Sequence, residues 1–226
     1  MHITVAVAWQ RASGGDWASY AADVSRRTRG GDQSMSSPAA PESGLLPRAS
    51  RAIILITGIQ AAGKSTIAQM LAEQLPLSVH VRGDLFRRMM VNGRTDMTPE
   101  PSEEALRQLR LRYQLTAMVS DTYFAAGFTV ITQDVIIGDH LTEMATMIRS
   151  RPLLVVVLAP QPTTIAAREA ARGKVAYDTW TVERLDDVLR HRTPRLGLWL
   201  DTSGQTPTET MNEILTRAWA EARISL

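Results

Sequence analysis

The segment Gly58-Ile59-Gln60-Ala61-Ala62-Gly63-Lys64-Ser65-Thr66 constrains what this chain can fold into more than any other part of it. It fits the pattern G-x-x-x-x-G-K-[ST], whose glycines let successive backbone N–H groups turn inward around a phosphate. The flanks are the ones the pattern needs. A β-branched apolar run, Ala52 to Thr57, comes before it, and a stretch with helical spacing, Lys64 to Leu75, follows. A phosphate seated there also meets the partial positive charge of a helix N-terminus. An accidental glycine turn is the competing account. All but two of the 25 basic residues are arginine, however, and one of the two lysines is Lys64. A compact ammonium differs chemically from a forked guanidinium, which gives a reason for a lysine at this position. Gly58, Ala61, Ala62, Gly63, Lys64, Ser65 and Thr66 are therefore expected to bind nucleotide. Lys64 is expected to reach the β- and γ-phosphates, and the Ser65 hydroxyl to bind Mg²⁺.

From Arg51 onward, short apolar runs alternate with longer segments of helical spacing. Ala52 to Thr57, Ser78 to Val81, Phe128 to Thr132, Leu153 to Leu158 and Leu196 to Leu200 read as strands. Leu106, Leu109, Tyr113, Ala117, Ser120 and Phe124 recur in steps of three and four, which predicts one helix from Ser102 to Ala126, stopped by Gly127. Thr206-Pro207-Thr208-Glu209 combines a capping side chain, a proline at the first helical position and a glutamate at the third, and so opens the last helix. The alternation implies an α/β fold with a mostly parallel sheet covered on both faces. With 226 residues and 44% hydrophobic content, one domain of ordinary size plus a tail is expected. The Gly-, Ser-, Pro- and Ala-rich composition of residues 1–50 reads as a disordered extension, leaving 51–226 as the folded domain.

Composition excludes several chemistries. Cysteine is absent, which removes disulfides, thiolate metal sites and a cysteine nucleophile. The four histidines show no metal-ligand spacing. A formal charge of +2 gives little support to a nucleic-acid partner. No apolar run is long enough to span a bilayer, and the first ten residues lack the basic start of a signal peptide, so a cytoplasmic protein is expected.

Candidates for the chemistry lie at the predicted strand ends, which line the ligand crevice in sheets of this kind. Asp84, after the second strand, is placed to take a proton from an acceptor hydroxyl as that oxygen attacks the γ-phosphate, or else to cap a helix from Leu85 to Val91. Asp134, ending the third strand, is a candidate for the Mg²⁺ shell, an alternative base, or a turn-capping carboxylate. Arg168 and Arg172 share a helix face beyond Pro162 and begin a short lid running through Lys174 to about residue 180, whose cations are expected to neutralise phosphate charge in the transition state. Asp201 and Thr202 follow the last strand and either border the nucleotide base or form a plain turn. Arg107, Arg110 and Arg112 read as a solvated helix face.

On these segments the chain resembles the chloramphenicol phosphotransferase-like group of P-loop kinases. The matching stretches are Ile53 to Ser65, Gly83-Asp84, Ile131 to Val135, Arg168-Glu169-Ala170-Ala171-Arg172-Gly173 and Asp201-Thr202, spread over about residues 52 to 220. The resemblance implies a five-stranded parallel sheet of the nucleotide-kinase type and a proposed base that maps onto Asp84. The expected reaction is ATP- and Mg²⁺-dependent transfer of the γ-phosphate to a hydroxyl of a small molecule, an antibiotic among the acceptors considered. Two other readings stay open, a nucleotide or polynucleotide-end kinase and a non-enzymatic nucleotide-binding switch. The segment Asn92 to Glu104 departs from the resemblance and is expected to shape the acceptor pocket.

Overall fold

The computed structural model describes residues 51–172 and 181–225. The extension expected over 1–50 and most of the expected lid lie outside the described residues. Within them the strands are β1 (Ile53–Thr57), β2 (Ser78–Arg82), β3 (Thr129–Gln133), β4 (Leu153–Leu158), β5 (Leu198–Leu200) and β6 (Arg223–Ile224). The helices are α1 (Lys64–Gln74), α2 (Gly83–Arg88), α3 (Glu103–Ala125), α4 (His140–Met147), α5 (Pro162–Arg172), α6 (Val182–Asp187) and α7 (Pro207–Glu221), with a π-helical turn at Val188–Arg192. The sheet order is β2-β3-β1-β4-β5, all parallel. These are the five strands expected, and one short strand is added to them. The two-residue β6 pairs antiparallel with Leu153 and Leu154, at the end of β4 that β5 leaves uncovered.

The sheet is the middle of three layers. Along β1, Ile53 and Leu55 point to one face, where Tyr113 and Ala117 of α3 and Leu141 and Met144 of α4 cover them. Ile54 and Ile56 point to the other, against Ile67 and Leu71 of α1 and Ile214 and Ala218 of α7. Every residue of β1 and β4 is buried, which is why these strands read as unbroken apolar runs rather than alternating ones. Each fully buried aliphatic side chain contributes about 1.5–3 kcal/mol, so these two strands anchor the domain.

Helix ends follow their local chemistry. Ser102 accepts from the Ala105 N–H at the start of α3, and Gly127, at φ +101°, ends that helix where predicted. Thr206 and Glu209 satisfy each other's backbone N–H groups at the start of α7, with Pro207 at the first position. Thr206→Ala is expected to cost about 1 kcal/mol, read as a melting temperature lowered by about 2–4 °C. One predicted helix moves: α2 begins at Gly83, not Leu85, and ends at Arg88, so Asp84 sits in its first turn and does not cap it.

Candidate functional site

The phosphate loop joins β1 to α1 in the shape its sequence demands. Gly58, Ala61 and Gly63 all have positive φ, at 145°, 58° and 100°. A Cβ on Gly58 would lie 2.4 Å from the Leu158 carbonyl oxygen, so the loop packs directly on the end of β4. Ala62 N–H donates to Ile59 O at 3.3 Å, and Lys64 Nζ donates to Ile59 O at 2.7 Å, bending the lysine back across its own loop. Lys64 and Ala62 are buried, whereas Ser65 and Thr66 are exposed on the first turn of α1. The Thr57 hydroxyl, just before the loop, donates to Ile136 O and accepts from Ile136 N, which fixes the end of β1 to the loop after β3.

Arg168 of α5 brings together two segments singled out in the sequence. It donates to Ala62 O in the phosphate loop at 3.4 Å and to Thr202 O at 2.8 Å. Asp201 is committed to its own turn. It accepts from Ser203 N and Oγ and from Gln161 Nε2, and the Ser203 hydroxyl is the main reason its carboxyl is held below the usual carboxylate range. Thr202 is buried, and its hydroxyl makes no hydrogen bond among the described residues. Arg172 is the last residue of α5; its side chain and the expected lid beyond it lie outside the described residues.

Asp84 and Asp134 follow the neighbouring strands β2 and β3. A Cβ on Gly83 would fall 2.1 Å from Asp134 Oδ2, so only glycine lets the start of α2 lie against that carboxylate. Asp84 faces two guanidiniums, Arg82 Nε at 3.5 Å from Oδ1 and Arg88 Nη2 at 2.9 Å from Oδ2. Its Oδ1 and the Arg82 Nε are both shut off from solvent and make no hydrogen bond among the described residues. Nearby, burial pushes the His80 imidazole below its ordinary pKa, with Arg82 acting in the same direction, and its Nδ1 pairs with Gln69 Oε1.

Asp134 is 2% exposed, and both of its oxygens are engaged. Arg112 of α3 donates from Nε to Oδ2 at 2.5 Å and pairs through Nη2 with Oδ1, which also accepts from Val135 N. The reading of Arg112 as a solvated position is therefore overturned: its side chain is 14% exposed and sits inside this ion pair. Burial is the largest influence on its guanidinium and lowers its pKa; Tyr113 and Asp84 act the other way. Arg107 and Arg110 do lie on the exposed face as expected. The signal that could have singled out Arg112 is its place on the line Gln108, Arg112, Thr116, Ser120, in which the other three are buried polar residues. Removing one member of a buried pair strands the other charge. Arg112→Met is expected to cost about 3–5 kcal/mol in urea unfolding, and the double variant Arg112→Met/Asp134→Leu markedly less.

Sequence reasoning also missed Arg190, on the π-helical turn. It is paired with Asp186 and donates to Ala159 O and Pro160 O where β4 ends. Among the described residues, no cluster of three or more His, Asp or Glu side chains is arranged to hold a metal ion.

A family model described as an AAA domain matches residues 53–195. The structure resembles a sugar kinase from Janibacter sp. HTCC2649 (TM-score 0.55, 19% identity, 74% of this chain and 93% of that one). It also resembles the tunicamycin resistance protein of Deinococcus radiodurans (0.54, 19%, 73% and 94%) and the APS kinase CysC of Mycobacterium tuberculosis (0.54, 15%, 73% and 95%). At these identities the likeness establishes the three-layer α/β fold. A stretch of 60 residues, 26% of this chain, is 42% identical to a UPF0200 protein of Aeropyrum pernix and spans 32% of that protein's length.

Proposed function

The chain belongs to the AAA domain family, and from that premise we propose that it is an ATP-dependent phosphotransferase acting on a hydroxyl of a small molecule. What supports this reading is that Asp84 follows β2, whose neighbour β3 pairs in turn with β1, the strand that feeds the phosphate loop. In the proposed reaction, ATP lies with its phosphates in the ring of amides from Gly58 to Thr66 and Lys64 against the β- and γ-groups. The acceptor hydroxyl replaces the Arg82 contact at Asp84 and gives its proton to that carboxylate as its oxygen bonds to the γ-phosphorus; the bond to the β-bridging oxygen breaks and ADP leaves. Arg168, held by carbonyls of the phosphate loop and of the Asp201-Thr202 turn, is proposed to supply a fixed positive charge to the reacting groups, and Arg172 a second. Asp201 and Thr202 are proposed to border the nucleotide.

Of the two residues expected at Mg²⁺, the exposed Ser65 hydroxyl fits as a ligand, whereas Asp134, buried and with both oxygens held by Arg112 and Val135 N, does not. When bound, Mg²⁺ neutralises charge on the β- and γ-phosphates. Several fold neighbours are described as kinases and one as an antibiotic resistance protein, which supports a small-molecule acceptor and keeps antibiotics in the first panel to be tried. The test is ADP formation with and without a panel of hydroxylated compounds. Acceptor-stimulated turnover supports the proposal; firm ATP binding with no acceptor effect, and no change on Asp84→Asn, supports a nucleotide-binding switch.

A further inference from the structure

Resting on the phosphotransferase reading, we infer that Arg112 and Asp134 are positioning residues: their buried ion pair is the seat on which the start of α2 rests, and through it they set where the Asp84 carboxylate stands. The register of β2 on β3 pairs Arg82 with Gln133, which carries the next residues of the two segments, Gly83 and Asp134, into contact. The contact is close. A Cβ on Gly83 would fall 2.1 Å from Asp134 Oδ2 and 2.7 Å from its Cγ. The carboxylate is not free to turn aside. It is buried, its Oδ2 accepts from Arg112 Nε at 2.5 Å, and its Oδ1 accepts from Val135 N at 2.7 Å and pairs with Arg112 Nη2.

Little else fixes α2. It is six residues long, too short to be stable by itself, and Gly83 is its only buried residue. Phe86 adds a partly buried contact with the core. The guanidiniums that face Asp84, those of Arg82 and Arg88, are its near neighbours in sequence, so they orient the carboxylate locally and do not fix α2 against the rest of the domain. Both pairs are partly exposed and therefore weak. Arg112, by contrast, comes from the adjacent helix α3, and its guanidinium feels Asp84 as a favourable charge. A buried ion pair costs both partners their hydration, and apolar side chains in its place are often neutral or stabilising, so stability alone gives no reason for this one. Geometry does. A carboxylate held at both oxygens presents a flat, fixed edge to Gly83, whereas an aliphatic side chain presents methyl groups that can turn.

The test uses two variants of the full chain. Arg112→Met/Asp134→Leu removes the pair without stranding a charge. Gly83→Ala leaves every charge in place and adds one methyl group against the carboxylate; Gly83 does not have a positive φ and alanine is a good helix former, so the added contact is the change that matters. The first readout needs no reaction. Backbone order parameters from NMR relaxation are expected to fall in the double variant from about 0.85 to below about 0.6 over Asp84–Arg88, with α1 and α7 unchanged. The second is turnover. With an acceptor that the parent phosphorylates, kcat is expected to fall about a hundredfold in both variants, the size of loss that a displacement of about 1 Å at a reacting group brings, with KM for ATP and the half-saturating Mg²⁺ concentration unchanged. Order parameters over α2 equal to the parent's in the double variant overturn the inference, as does kcat within a few-fold of the parent in both variants. A raised Mg²⁺ requirement in the double variant alone also overturns it and assigns Asp134 to the metal. A loosened α2 with no phosphorylated product from any acceptor, even with the parent, retires the kinase reading and leaves the seat of α2 standing.

Discussion

Replacing Lys64 by alanine is expected to lower turnover of ATP by about a thousandfold or more while leaving the fold intact. The side chain is almost wholly buried, and its ammonium is bent over the loop onto Ile59 O at 2.7 Å, so its position is set before any phosphate arrives. A preorganised charge in a water-poor site needs no reorganisation as charge develops on the transferring group, which is where its large effect comes from. Alanine is a good helix former at the first position of α1, and the turn is held independently by the Ile67 N–H to Gly63 O bond at 3.1 Å. Circular dichroism should therefore be unchanged while kcat collapses. Lys64→Arg is expected not to rescue, since the wider guanidinium has to enter a loop that already packs on Leu158. Turnover within a few-fold of the parent in either variant would refute the role given to this residue.

The second large effect is expected at Asp84. Asp84→Asn keeps the size and planarity of the side chain but removes its ability to take a proton, and should lower kcat by about 10²–10⁴ with KM for ATP unchanged. The split between the two constants matters. A structural role for Asp84 would act through its ion pairs with Arg82 and Arg88, and partly exposed pairs of this sort contribute at most about 1 kcal/mol. The melting temperature should therefore move little. A variant that loses stability and ATP affinity together, with kcat preserved, would mark Asp84 as a scaffold residue and pass the role of base to another group.

The fold was legible because each layer wrote its own period into the chain. The buried strands β1 and β4 could be placed within a residue from their unbroken aliphatic runs, and the capping box at Thr206 and the stop at Gly127 fixed two helix ends. What escaped depended on contacts between segments far apart in sequence. β6 is two residues long and exists only because the lower half of β4 has no other partner on that side, which no local pattern announces. The packing of Gly83 against Asp134, some fifty positions on, could not be seen in the Arg82 to Arg88 segment alone. The phosphate loop is the opposite case, since its glycines, its lysine and its flanks are contiguous. The remaining site residues show both behaviours. Arg168 and Thr202 were marked in the sequence, and the structure joins them through the carbonyl oxygens of Ala62 and Thr202. Arg112 looked like one more cation on a helix surface. Only the fold, by bringing α3 alongside the end of β3, turns it into the buried partner of Asp134.

The central claim is that the γ-phosphoryl group held by the Gly58–Thr66 loop passes to a hydroxyl with Asp84 as base. It is tested most directly by incubating the full chain and its Asp84→Asn variant with Mg²⁺ and ATP labelled with heavy oxygen in the γ-phosphoryl group, together with hydroxylated acceptors, and by reading the products by mass spectrometry. The account predicts that an acceptor gains one labelled phosphoryl group with the parent protein and gains almost none with the variant. Label appearing solely in inorganic phosphate, or equal labelling of the acceptor by both proteins, would contradict it.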